Sequence, residues 1–152
     1  MHQMHHYVRL LAMVVLSYIA MFAFMYAMVD TWQDVYPNIN QAYMAALMTA
    51  PMVVIELLLM WSMYKNVAAN IAIIAASVVL LIGAFTMIRQ QTGIKDVQFI
   101  KSMVPHHSGA ILMCREATLS DAELKKLCET ISQGQRSEIT QMNAILRRLN
   151  QD

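Results

Sequence analysis

Charge is scarce in this chain and absent from long stretches of it. Charged residues make up 14% of the 152 and hydrophobic residues 58%, a balance too apolar for an ordinary soluble domain. Residues 10–29 and 67–88 carry no charge, and residues 42–64 carry only Glu56. Each run approaches the roughly 20 helical residues that rise about 30 Å and cross a hydrocarbon core. An all-α chain with three transmembrane helices over residues 10–88 is expected, with the lipid bilayer as its first partner. The first run is not followed by a small-residue cleavage site, so it reads as a retained anchor behind a short leader, residues 1–9.

Other absences narrow the function. The sequence has no Glu-x-x-His pair for a bridged di-iron site, no His-Glu-x-x-His and no Gly-x-Ser-x-Gly. Cys-x-x-Cys and a phosphate-binding glycine loop are missing too. An enzyme is the least supported class. The segment between the first two runs carries Asp30 and Asp34 but no Lys or Arg, whereas Arg9 and Lys65 flank the opposite side. The positive-inside tendency then puts the N-terminus in the cytoplasm and the C-terminal tail outside, in a membrane such as the bacterial inner membrane. Arg89, Lys95 and Lys101 pull the other way. From Arg89 onward lie nine of the eleven basic and seven of the ten acidic residues; that near balance excludes a nucleic-acid partner.

Methionine is what the chain has in abundance, 15 residues of 152. Near the C-terminus, Met103, His106, His107, Met113 and Cys114 combine thioether, imidazole and thiol, the soft set that selects Cu(I) or Ag(I) over hard cations. The tail, residues 95–150, reads as a helical hairpin. Its first helix spans about Lys95 to Ala117, and its second runs to about Asn150, with Ser120 as N-cap and Glu123 completing a capping box. Helical spacing groups Phe99, Met103, His106, His107, Ala110, Met113, Cys114 and Ala117 on one face. The facing stripe is Leu124, Leu127, Ile131, Gln135, Glu138, Met142, Ile145 and Leu149. Gln135 and Glu138 interrupt it, and a fold-back at residues 119–120 brings them level with the region around Met103. Buried polar groups need partners, and a carboxylate facing a histidine supplies one.

Direct metal ligands are then Met103, His107 and Cys114, with His106, Met113 and Met142 as alternates and Gln135 and Glu138 as outer partners. The plainer reading is methionine as adaptable core filler and histidines satisfied by Glu138 or backbone. Pro105 and Gly109 weaken the helix around the histidine pair. A Cys114–Cys128 bond within the hairpin is disfavoured, because an axial offset of about 4.5 Å adds to an interhelical distance of about 8–10 Å. A bond between chains stays open.

Secondary candidates lie elsewhere. Met1, His2, Met4, His5 and His6 form a ligand-rich terminus, or a simple untethered end. Glu56 is expected near the middle of the second span, on a face with Met48, Met52 and Met63, while Met21, Met25 and Met28 form a stripe on the first. These suit either a path for a soft cation or ordinary methionine packing with Glu56 bonded to Tyr18, Asn70 or Ser77.

The run Asp96, Phe99, Met103, Pro105, His106, His107, Ala110, Ile111 and Met113 resembles the signature of domain-of-unknown-function family 305. Gln135, Glu138, Ile139 and Met142 match its second helix, and Ala50 to Leu57 looks like the membrane part of anchored members. The resemblance implies a ferritin-like helical bundle, export, and copper binding or tolerance. This chain has one His-His motif where larger members have two, and it adds Cys114 and Cys128. A lone hairpin of two amphipathic helices cannot enclose a core, so a homodimer or higher homo-oligomer completing a four-helix bundle is expected. The leading functional reading is a membrane-anchored protein that captures Cu(I) or silver for sequestration or tolerance, exchanging it with a copper donor or acceptor protein. The alternatives are a metal transporter or channel subunit built on Glu56 and the Met stripes, and a membrane scaffold without metal.

Overall fold

The computed structural model describes residues 2–151, with side chains from His5 to Gln151. Among the described residues there are five α-helices and no strands: α1 (His2–Phe24), α2 (Ile39–Leu59), α3 (Val67–Gln90), α4 (Asp96–Glu116) and α5 (Ala122–Leu149). They divide into two units, Met1–Phe24 with Asn40–Thr92, and Met25–Ile39 with Gly93–Asp152.

The first unit holds α1, α2 and α3. Three segments, His5–Met28, Ile39–Leu59 and Val67–Gln90, are long and apolar enough to cross a membrane. The first of them takes in residues 5–9 of the leader, because α1 is already helical at His2. Leu16, Ile19, Ile55, Val79, Ile82 and Phe85 are all exposed, the inverse of a soluble core and suited to lipid. Polar groups turn inward and are satisfied there, as a bilayer demands. Asn70, fully buried, donates to the Tyr64 carbonyl at 2.6 Å and accepts from the Tyr7 hydroxyl at 2.8 Å. Thr49 and Ser77 return their hydroxyls to the carbonyls of Ala45 and Ile73, one turn back. A small core of Leu10, Val53, Leu57 and Tyr64 packs with them. Asn66 caps α3 by accepting from Ala69 N–H. At the other end the chain leaves α3 through Gln91 in the left-handed region and Gly93, φ 74°, where a residue without Cβ carries no strain.

The second unit is the α4–α5 hairpin and the segment between the first two spans, which makes two short 3-10 turns, Met25–Met28 and Trp32–Asp34. Its core is Ile100, Val104 and Ile111 from α4 with Ile139 and Leu146 from α5, flanked by Tyr36, Val97, Met142, Ile145 and Leu149. Three crossings would put residues 25–38 and the tail on one side of a membrane, in keeping with their packing together. Asp121, not Ser120, caps α5: its carboxylate accepts from Leu124 N–H at 2.8 Å. The helix therefore starts one residue later than expected, and Glu123 falls one position too early to close a capping box.

Candidate functional site

Two apolar stripes compete on α4, and the aliphatic one is buried. Ile100, Val104, His107, Ser108, Gly109 and Ile111 are buried, whereas Phe99 and Met113 are 51% and 54% exposed and His106 is exposed. The buried face is turned roughly 100° from the expected ligand face, about one residue of helical rotation. Ile and Val carry no polar atoms to desolvate, and Ser108 and Gly109 are small enough for a neighbouring segment to approach. Met103, Ala110 and Cys114 sit half-buried at the edge of the two faces. Met113 therefore stands apart from His107, whereas the exposed His106 keeps its ring edge-on to that of His107, with centroids 6.2 Å apart.

His107 and Glu138 do meet. Nε2 of His107 lies 2.7 Å from Oε2 of Glu138, and Nδ1 lies 2.9 Å from the Met103 carbonyl. The histidine side chain is 11% exposed and the glutamate 57%. A carbonyl only accepts, so the Nδ1 bond calls for N–H there and leaves Nε2 as the nitrogen turned to the carboxylate. Antiparallel register then puts Met103, one turn before His107, level with Met142, one turn after Glu138. Both methionines are half-buried, as is Gln135. Glu138 is thus level with His107 rather than with the region before Met103, a shift of about 9 Å of helical rise from the position a symmetric turn at residues 119–120 gives. The link 117–121 is extended at both caps, which shifts the register.

Cys114 is not a thiol ligand. It is joined to Cys128, with the two Cα atoms 5.3 Å apart, so an intrachain bond forms where none was expected. The expected axial offset assumes a symmetric turn, which the extended link 117–121 does not make, and helix axes about 8–10 Å apart do not separate facing Cα atoms by that much. Each Cα stands about 2.3 Å off its axis, so facing atoms approach by about 4.6 Å more.

The segment 25–38 seals the opposite side of α4, and sequence reasoning passed over it. Ser108 donates to Oδ2 of Asp34 at 2.7 Å and accepts from Asp30 N–H at 2.9 Å. Thr31 also donates to Asp34. Arg115 pairs with Asp30 and Glu116. Its pKa is pushed further up, first by the hydrogen bond to Glu116, with burial opposing and the charges of Asp30 and Glu116 reinforcing. Pro105 has no N–H for the Lys101 carbonyl; Asn38 Nδ2 donates to that carbonyl at 3.2 Å instead. Gly109 admits the backbone itself, since a Cβ there would stand 3.2 Å from the Met28 carbonyl. The weakening of the helix at Pro105 and Gly109 is thus met by protein, the Asn38 amide at one and the Met28 backbone at the other. Only the charge of Asp30 and Asp34 was visible in the sequence, and it served for orientation alone.

The candidates of the first unit lie apart. Glu56 is in the last turn of α2, not at its middle. It lines a cavity of about 230 Å³ with His6, Arg9, Met13, Met63 and Tyr64. Met63 follows the end of α2, and Met48 is 44% exposed while Met52 is half-buried, so no continuous stripe joins them. Met25 and Met28 belong to a 3-10 turn of the second unit, which breaks the stripe with Met21; Met21 sulfur instead accepts from Thr49 at 3.5 Å. His5 is exposed, and His6 packs edge-on to Tyr64. Met1 and the side chains of His2 and Met4 lie outside the described residues. Among the described residues, no three His, Cys, Asp or Glu side chains gather as a metal cluster.

Comparison with known proteins agrees with the hairpin's signature. Residues 86–152 match the family model described as domain of unknown function (DUF305). An uncharacterized protein of Acanthamoeba polyphaga mimivirus is 32% identical over 140 residues, 90% of each chain. No solved structure matches. The matched segment holds the His107–Glu138 pair and its flanking methionines, and the chain belongs to the DUF305 family.

Proposed function

We propose that this is a membrane-anchored soft-metal-binding protein that captures Cu(I) or Ag(I) on its helical hairpin, for sequestration or tolerance. The observation that carries the reading is His107, its Nδ1 committed to the Met103 carbonyl and its Nε2 turned to Glu138. Backbone acceptance of Nδ1–H is the usual way a protein selects Nε2 as the metal-binding nitrogen. The thioethers of Met103 and Met142, one turn away along each helix, supply soft donors suited to Cu(I). Glu138 provides a neighbouring carboxylate. Gln135 is an outer hydrogen-bonding partner. His106, exposed beside His107, belongs to metal exchange with a copper donor or acceptor protein.

The hairpin lies outside the cytoplasm and the N-terminus inside, in a bacterial inner membrane or its equivalent. Phe99, Met113, Leu124 and Leu127 are left exposed, and a second copy related by a two-fold axis covers them, building a ferritin-like four-helix bundle. The transport reading draws less support, because Glu56 ends α2 and the methionine stripes are interrupted.

The test is a Cu(I) competition titration of the purified protein in detergent, with ascorbate as reductant, beside elemental analysis. About one Cu(I) per chain is expected, and Met103→Ala with His107→Ala should weaken binding at least about tenfold. Unchanged affinity removes these residues from the site, and absence of stoichiometric metal favours a scaffold. Glu56→Gln should leave binding intact, and sealed vesicles should show no metal flux.

A further inference from the structure

The disulfide is not packed away. Cys114 and Cys128 are both half-buried and both line a cavity of about 480 Å³ at the tip of the hairpin. That volume falls in the range of about 300–1,000 Å³ usual for small-molecule sites. Three cations, Arg115, Lys125 and Arg136, line the same cavity against one acid, Glu129. Arg115 is engaged with Asp30 and Glu116. Lys125 and Arg136 make no ion pair among the described residues, so their charge is available to a ligand. An accessible disulfide surrounded by an excess of positive charge is matched to a nucleophile that is both sulfur and anion.

We propose that the cavity binds a small anionic thiol, of the size of a short peptide, and that Cys114–Cys128 exchanges with it. The incoming thiolate attacks one cystine sulfur, forming a mixed disulfide and expelling the other cysteine as a thiolate, which takes up a proton. A second small thiol, as thiolate, attacks the mixed disulfide and releases the oxidised small-molecule dimer and the second protein thiol. Two small thiols are oxidised and one protein disulfide is reduced, with two electrons transferred and the protons passing to the cysteines. The surrounding cations raise the local thiolate concentration and stabilise the departing thiolate. None of this depends on metal. If the metal reading also holds, reduction returns the Cys114 thiol to a position two turns from His107.

The experiment uses the full chain in neutral detergent, with free thiols counted by alkylation and intact mass over time. Reduced glutathione, an anion, is compared with cysteamine, a cation, at equal thiolate concentration. Glutathione should react at least about fivefold faster, with the advantage shrinking as salt rises from about 20 mM to about 500 mM. Lys125→Glu with Arg136→Glu, two exposed substitutions whose folding is checked by circular dichroism, should abolish the preference. Equal rates for the two thiols, a preference that survives the double substitution, or a disulfide that resists both thiols until denatured would each overturn the proposal.

Discussion

The hydroxyl of Ser108 and the carboxylate of Asp34, 74 residues apart in sequence, meet at 2.7 Å in a buried contact. Two helices long and apolar enough to cross a membrane intervene between them in the chain. The contact holds the segment between the first two spans against the face of α4 opposite the exposed apolar stripe. Asp30 N–H adds a second bond to the same hydroxyl.

Ser108→Ala should therefore loosen residues 25–38 without unfolding the hairpin. It leaves one half-buried N–H without its acceptor and removes one donor from the buried Asp34, at a cost of about 1–3 kcal/mol. Hydrogen exchange followed by mass spectrometry should show faster exchange confined to that segment. Exchange identical to wild type would mean the contact contributes nothing.

Asn38 and Pro105 form a second testable couple, through the Lys101 carbonyl. Asn38→Ala strips that carbonyl of its donor, and about 1–3 kcal/mol of stability should go with it. Pro105→Ala restores a helical N–H to the same carbonyl. The double variant should therefore lose less than the sum of the two single changes, read from thermal melts as a mutant cycle. Strict additivity would show that the two donors do not substitute for each other.

Cys114 and Cys128 close a loop with a sequence separation of 14. Cys114→Ser with Cys128→Ser should cost about 3 kcal/mol, the usual loop-entropy figure for such a ring. Denaturant titration of the hairpin with and without reductant provides the measurement. Insensitivity of wild type to complete reduction would rule out a stabilising role.

Met113→Asp with Leu127→Asp should dissociate the proposed dimer and leave the hairpin helical. Both side chains are more than half exposed in the single chain, so charge there costs the folded protomer little. In a dimer core the same charge would be unpaired and desolvated. Crosslinking and mass measurement in mild detergent decide the matter, and a wild-type monomer at working concentration would remove the bundle.

Much of the hairpin was legible because its signals are local. Gln135 and Glu138 break an apolar stripe, and a buried polar pair can be sought from that break alone; Glu138 meets His107. Which stripe of α4 turns inward was not legible, since Phe99, Met103 and Met113 are as apolar as Ile100, Val104 and Ile111. The choice rests on what packs against each face. The segment at residues 25–38 needs Ser108 and Gly109 beneath it, and no periodicity within α4 can express that need.

The disulfide marks the same boundary from another side. Helix rise along the chain placed Cys114 and Cys128 within about one turn of each other, but the transverse distance depends on how closely two helices approach. Composition and periodicity by themselves determined the three apolar spans, the hairpin and the polar intruders, because bilayer thickness and helical rise act on consecutive residues. Tertiary structure alone decided the buried face, the closing of Cys114 onto Cys128, and the partners of Ser108, Arg115 and Lys101. Most of those contacts join residues separated by two long apolar helices, and their energy depends on distance in space rather than along the sequence.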